Sequence, residues 1–276
     1  MMPVKRYMAM VFIAIACSLH GFAQCTIENT SFNAGESLTY DLYYNWHFIW
    51  VKAGIADMTT TKTTYKNKDA YRCHLITRGN NKLDDYFVLR DTLLCYTGLD
   101  IQPMYFRKGA REGKRYTIDE VFYDFSDGKC NLRQIYTDKH GERHYHNESS
   151  GECSFDMISM LMRARSFDPT GWTKGHTVYF RMADGDDVKD CKLLFRGREK
   201  FKMDDTKEEF NCLVLSFLEK EDKKFKEIVR FYVTDDKNHL PLRLDLYLRF
   251  GSAKAFLTKY KNVRNPLTSR IKKGKS

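Results

Sequence analysis

The sequence predicts an all-β, predominantly antiparallel protein: a curved sheet, half-barrel or barrel-like, with one main helix packed on it. Three observations predict this. Leu240, Leu242, Leu244, Leu246 and Leu248 occupy every second position, separated by Pro241, Arg243, Asp245, Tyr247 and Arg249. Successive strand residues point to opposite faces, so this spacing gathers the leucines on one face. Short apolar runs then recur along the chain with turn residues between them, and connections this short allow hairpins, not crossovers. Finally, one segment alone, Phe155–Phe167, has helical spacing and helical end signals.

The elements follow in order. Met1–Ala23 reads as a secretion signal, with Lys5 and Arg6 before an apolar run, Met8–Ala16, that is too short to span a bilayer as a helix. Gly21-Phe22-Ala23 places cleavage before Gln24. The alternative is a lipoprotein anchored at Cys17 or Cys25. Residues 24–262 read as a single β-rich domain, because no Pro/Gly/Ser-rich linker divides them.

Leu38–Tyr44 alternates apolar and polar residues, and Gly54–Tyr65 ends at the turn Lys66-Asn67-Lys68-Asp69. Trp46–Val51 is more continuously apolar. Further strands are expected at Tyr71–Thr77, Tyr86–Tyr96, Met104–Arg107, Tyr116–Phe125, Leu132–Thr137, Thr177–Met182, Cys191–Phe195 and Cys212–Glu219. The three final strands are Ile228–Thr234, the leucine strand and Ala253–Tyr260, separated by Asp235–Asn238 and Gly251-Ser252. Pro241 lacks an N–H and fits the start of a strand or a bulge. In the helix, Ser154 is the expected cap, Asp156 favours the first turn, and Pro169 and Gly171 end it.

The formal charge of +10 falls to +8 without Lys5 and Arg6. The excess gathers at the end, in Lys259, Lys261, Arg264, Arg270, Lys272, Lys273 and Lys275, so residues 263–276 read as a basic C-terminal tail, solvated and frayed. Attraction to anionic headgroups is the functional alternative. Nothing suggests nucleic acid, which an exported protein does not meet.

Seven cysteines remain after cleavage, with no CxxC motif. An oxidising compartment allows disulfides. Similar separations suggest Cys73–Cys95, Cys130–Cys153 and Cys191–Cys212, each bridging adjacent strands; buried free thiols are the alternative.

Few residues suggest chemistry. On a strand His144 and His146 share a face and could ligate one ion, but no third ligand is evident, and a polar hairpin explains the run equally well. Paired carboxylates at Asp84-Asp85, Asp186-Asp187, Asp204-Asp205 and Asp235-Asp236 sit in turn-like stretches and read as solvated loops. There is no GxSxG, no phosphate-binding glycine loop and no dinucleotide fingerprint, so neither catalysis nor a cofactor is expected. Asp91 and Arg163 are candidates for a buried ion pair between sheet and helix, and Arg198-Glu199 for a second pair.

Several segments in order resemble the bacterial exported family catalogued as domain of unknown function 3108. They are Phe32-Asn33-Ala34-Gly35-Glu36-Ser37-Leu38-Thr39-Tyr40, Ala53-Gly54, Arg90-Asp91 after Tyr86-Phe87, and Pro103 with Phe106-Arg107. Asp156, Ser159 and Arg163 follow on the helix, then Gly197-Arg198-Glu199, Asp235-Asp236, Leu240-Pro241 and Gly251-Ser252-Ala253. Glu209 stands where the family pattern often has Gly before Phe210. The resemblance implies export and a β-rich fold and transfers no catalytic residue.

The sequence therefore points to an exported protein of the periplasm or outer-membrane surface, not transmembrane. A lipid or other apolar ligand would lie between the leucine face (Leu242, Leu244, Leu246) and the Met-rich helix (Met157, Met160, Leu161). The alternative is a structural protein holding an envelope protein partner. An open apolar cleft would favour the first reading and a sheet filled by its own side chains the second.

Overall fold

The computed structural model describes residues 25–46, 49–80, 88–203, 206–248 and 251–271. The expected signal, with Cys17, lies outside them, as do Asp84, Asp85, Tyr86, Phe87, Asp204, Asp205, Lys272, Lys273 and Lys275. No helix among the described residues is long and apolar enough to cross a membrane.

The described strands form one sheet of fifteen. β1 (Ser37–Trp46), β2 (Ile49–Tyr65), β3 (Lys68–Gly79), β4 (Leu89–Gly98), β5 (Pro103–Glu112), β6 (Arg115–Ser126), β7 (Lys129–Thr137) and β8 (Arg143–Ser150) make an antiparallel meander. After β9 (Ser154–Phe155) and helix α1 (Met157–Ala164), a second meander runs through β10 (Thr177–Asp184), β11 (Asp187–Lys202), β12 (Glu209–Glu221), β13 (Lys224–Thr234), β14 (Pro241–Tyr247) and β15 (Ser252–Lys261). β15 pairs with β1 and fuses the two halves, and only the short β9–β10 pair is parallel.

The leucine alternation does what strand geometry requires. Leu42, Ala255, Leu244, Phe231, Leu215 and Phe195 stand directly opposite one another across six strands and make an apolar row on the concave face. The sheet curls without closing. Near its two edges, Arg181 of β10 forms an ion pair with Glu148 of β8. Gly54 shows how tightly β2 and β3 approach, since a Cβ there would lie 2.2 Å from the Arg78 carbonyl oxygen.

Helix α1 plugs one end of the concave face, with Ile158, Met160 and Met162 buried and Met162 Sδ 3.8 Å from Cys95 Sγ. It is shorter than expected at both ends. Ser154 does not cap it, because Ser154-Phe155 is spent pairing with β10. Asp156 caps it instead, accepting from the Ile158 and Ser159 amides, with Ser159 answering as a capping box.

Other expectations are corrected here. The bridge is Cys25–Cys153, with a Cα–Cα distance of 5.5 Å. Cys130 therefore cannot pair with Cys153, and lipidation at Cys25 is excluded because its sulfur is bridged. Cys73 and Cys95 do face each other across β3 and β4, yet remain thiols. Cys191 and Cys212 lie on adjacent strands, but their register partners are Glu219 and Glu199, which separates them by roughly 20 Å along the strands. Residues 263–271 do not fray. Val263 and Leu267 pack on the core, and Asn211 N donates to Ser269 O (2.9 Å) and Ile271 N to Glu209 O (2.7 Å).

Candidate functional site

Two features divide the molecule into a closed end and an open one. The closed end is a buried polar network. Arg165, just past α1, donates through both Nη atoms to Glu36 (2.6 and 2.9 Å), and each side chain is 2% exposed. Its Nε donates to Asn238 O at 3.1 Å. Burial alone would pull the guanidinium down, but the Glu36 carboxylate beside it outweighs that and pushes it up. His239 Nδ1 lies 2.6 Å from Arg165 O, so that nitrogen carries the proton and donates, and burial lowers the imidazole and keeps it neutral.

Asp236 collects Thr234 Oγ1 (3.0 Å), the Asn238 amide (3.0 Å) and Ser269 Oγ (2.6 Å). Asn238 and Asn265 exchange two hydrogen bonds, and Arg264 donates to Asn29 O at 2.6 Å. The N-terminal segment, the end of α1, the β13–β14 turn and the C-terminal segment are thereby locked together. Asp236 is buried, contrary to the solvated-loop expectation for Asp235-Asp236, because these donors satisfy it.

On the opposite, convex side of the leucine strand is an apolar cleft of about 310 Å³. Two bulges make it. Tyr232 and Val233 face Arg243 and Pro241, leaving Leu242 extra, and Thr39 and Tyr40 face Lys259 and Leu257, leaving Thr258 extra. Both extra residues line the cleft. The buried Leu242 and Met203 are its floor, Tyr43, Phe256 and Phe201 its walls, and Asp41, Trp50 and Lys254 its mouth, while Leu257, which shares the face of Ala255, borders it from the core.

The walls are braced by ring contacts. Tyr43 packs edge-on against Phe256 at 5.8 Å, and Phe201 lies 5.9 Å from Tyr232. The Arg243 guanidinium lies over Tyr232 (4.9 Å) and Phe256 (5.8 Å) while its Nε and Nη2 grip Asp245 at 2.8 and 2.7 Å. At the mouth, Asp41 is engaged by Lys52 Nζ at 2.5 Å, and Lys254 Nζ sits 4.2 Å over the Trp50 ring.

A wider depression of about 530 Å³ lies over β6–β8. It is the poorer candidate, because its lining is mostly polar and charged. Asn131 donates to Ser126 Oγ and accepts from Ser149 Oγ, and Arg133 covers the Phe122 ring at 4.1 Å.

The structure does not bring the expected ligand residues together. Leu242 lines the cleft. Leu244 and Leu246 face the concave side, Met160 and Leu161 pack into the closed end, and Met157 is exposed. The buried ion pair between helix and sheet exists, but through Arg165 and Glu36. Arg163 donates to Cys25 O (3.4 Å) and covers Phe155, and Asp91 accepts from the Arg111 amide (3.2 Å). Arg198 pairs with Asp235 at 2.9 Å, not with Glu199, which points from the other face of β11.

His144 and His146 each approach their own carboxylate, Asp138 at 3.7 Å and Glu148 at 3.8 Å. His144 gathers instead with Asp138 and Glu142, where Asp138 Oδ1 is already committed to the His140 and Glu142 amides of the hairpin turn. Sequence reading does not show the cleft because its lining comes from five strands, β1, β2, β11, β14 and β15, brought together only by register. Pro241 was the one signal for the bulge beneath it.

The family model described as protein of unknown function (DUF3108) matches residues 39–258. The chain belongs to this family. The DUF3108 match runs from within β1 to within β15 and so contains most of the sheet, the helix and the cleft. The chain is similar in fold to a solved β-barrel-like protein of DUF1849 from Brucella abortus, with TM-score 0.54 and 12% identity over 84% of this chain and 99% of that one. Weaker matches are an exported protein with a YmcC-like fold from Bacteroides fragilis (TM-score 0.36, 10% identity, 86% and 98% covered) and a lipoprotein from Parabacteroides distasonis (TM-score 0.31, 10% identity, 86% and 100% covered). No curated protein matches the sequence.

Proposed function

We propose that this DUF3108 protein is an exported cell-envelope protein that holds a lipid, or another apolar chain with an acidic end, and catalyses no reaction. The observation that carries this reading is the convex cleft: an apolar floor and aromatic walls, with the Lys254 ammonium at the mouth. An acyl chain would replace water against the half-buried rings of Tyr43, Phe201 and Phe256, at about 0.8 kcal/mol per buried methylene. Its carboxylate or phosphate would exchange the weak Lys254–Trp50 contact for an ion pair. Export is supported by the charged and apolar leader of Met1–Ala23 and by the Cys25–Cys153 bridge, which needs an oxidising compartment.

Titration with a fluorescent fatty acid, dansyl-undecanoic acid, tests it. Saturable binding is expected, weakened by Lys254→Glu for the acid but not for its methyl ester. Absence of saturable binding to the oxidised, folded protein would overturn the proposal.

A further inference from the structure

Hairpin turns in water are normally polar, and most of this molecule obeys the rule, with Lys66-Asn67, Gly113-Lys114, Asp127-Gly128, Gly185-Asp186 and Asp222-Lys223 at the tips. The described strand ends beside the β1–β2 and β14–β15 connections are apolar instead. They lie side by side, because β1 and β15 pair as far as Tyr44 and Ala253. They expose Ile49 (66%), Leu248 (47%), Trp50 (39%) and Tyr247 (38%). Alternation places Trp50 and Tyr247 on the cleft side and Ile49 and Leu248 on the concave side, so this rim is apolar on both faces.

Cations surround the rim. Lys254 lies over Trp50 and makes no ion pair among the described residues, and the Arg230 guanidinium lies 6.0 Å from the Tyr247 ring. Lys52 is far more exposed than its partner Asp41, and Arg230 more than Glu227, so the outermost charges are positive. Exposed aromatic and aliphatic side chains beside Lys52, Lys254 and Arg230 match the interface of an anionic bilayer, where rings sit at headgroup depth and cations meet phosphate.

We infer that the exposed strand ends Ile49, Trp50, Tyr247 and Leu248 dock the protein onto an anionic lipid surface, with the cleft mouth facing the bilayer. This rests on the lipid-holding reading and gives the cleft its route of loading. Trp50 belongs to both rim and mouth, so a chain leaving the bilayer beside Trp50 meets the cleft without crossing water.

Flotation of the full mature protein with vesicles of phosphatidylethanolamine and phosphatidylglycerol tests docking. The wild type should float. Ile49→Ser with Leu248→Ser should abolish flotation while circular dichroism and thermal midpoint stay unchanged. Lys254→Glu should weaken binding about 30-fold, from two charge changes at roughly a factor of five each. Tyr179→Ser, an exposed aromatic on β10 outside the rim, should float as wild type. A wild type that stays in the dense fraction, or a rim variant that floats equally well, would overturn docking. Because fatty-acid binding is measured without vesicles, a protein that binds the probe but ignores vesicles refutes docking alone. One that floats without binding the probe refutes lipid holding alone.

Discussion

Glu36→Gln should destabilise the fold by about 3–5 kcal/mol, the cost of leaving one member of a buried ion pair uncompensated. The substitution barely changes shape. It removes the charge opposite Arg165 and turns an amide N–H2 toward a guanidinium that has only donors. Arg165 is 2% exposed, so water cannot replace the lost carboxylate without opening the closed end. Its one other acceptor is Asn238 O at 3.1 Å. Replacing both partners, Glu36→Leu with Arg165→Met, removes the stranded charge and leaves chiefly the lost hydrogen bond to Asn238 O, about 1 kcal/mol. The double variant should therefore be more stable than Glu36→Gln alone. Equilibrium urea unfolding with the disulfide kept oxidised measures both. A loss below about 1 kcal/mol for Glu36→Gln, or a double variant less stable than the single, would refute the role given to this pair.

Three further outcomes are expected. Burial raises Asp156 to about 6 from an ordinary 3.8, so between these values the folded protein holds a proton that the unfolded chain has released. Stability relative to Asp156→Asn should then fall by up to about 3 kcal/mol as pH rises from about 4 to about 6, and a rise over that window in urea midpoints would contradict it. Removing the Cys25–Cys153 bridge, which spans 128 residues of sequence, should cost up to about 5 kcal/mol through loop entropy, read as the difference between oxidised and Cys25→Ser/Cys153→Ser unfolding. Neither amide atom of the fully buried Gln134 finds a partner among the described residues, so Gln134→Met should stabilise by about 1–2 kcal/mol, and an equal loss in thermal or urea unfolding would show that the amide is needed.

The fold was legible because its signals are local. Alternation at Leu38–Tyr44 and Leu240–Leu248 needs only neighbouring residues to specify a strand and its faces, and the turn residues say where strands reverse. β8 escaped because Arg143–Ser150 is polar throughout, as an exposed edge strand can be. The site was less legible, since its parts meet only through register. Leu242 does not share the face of Leu244 and Leu246, because a bulge breaks the alternation that groups the three. Arg163 and Arg165 are two residues apart on the chain and so point to nearly opposite sides of the end of α1, and local sequence does not say which side meets Glu36. Cys25 and Cys153 carried no spacing signal, because chain folding at the closed end alone brings them together.

Native mass spectrometry of the protein exported with its own leader, followed by solvent extraction, tests lipid holding most directly. The cleft predicts an adduct on the folded chain that extracts as an apolar, acid-bearing molecule and is lost in Lys254→Glu. A bare polypeptide mass from folded, disulfide-bridged protein, with nothing apolar in the extract, would contradict it.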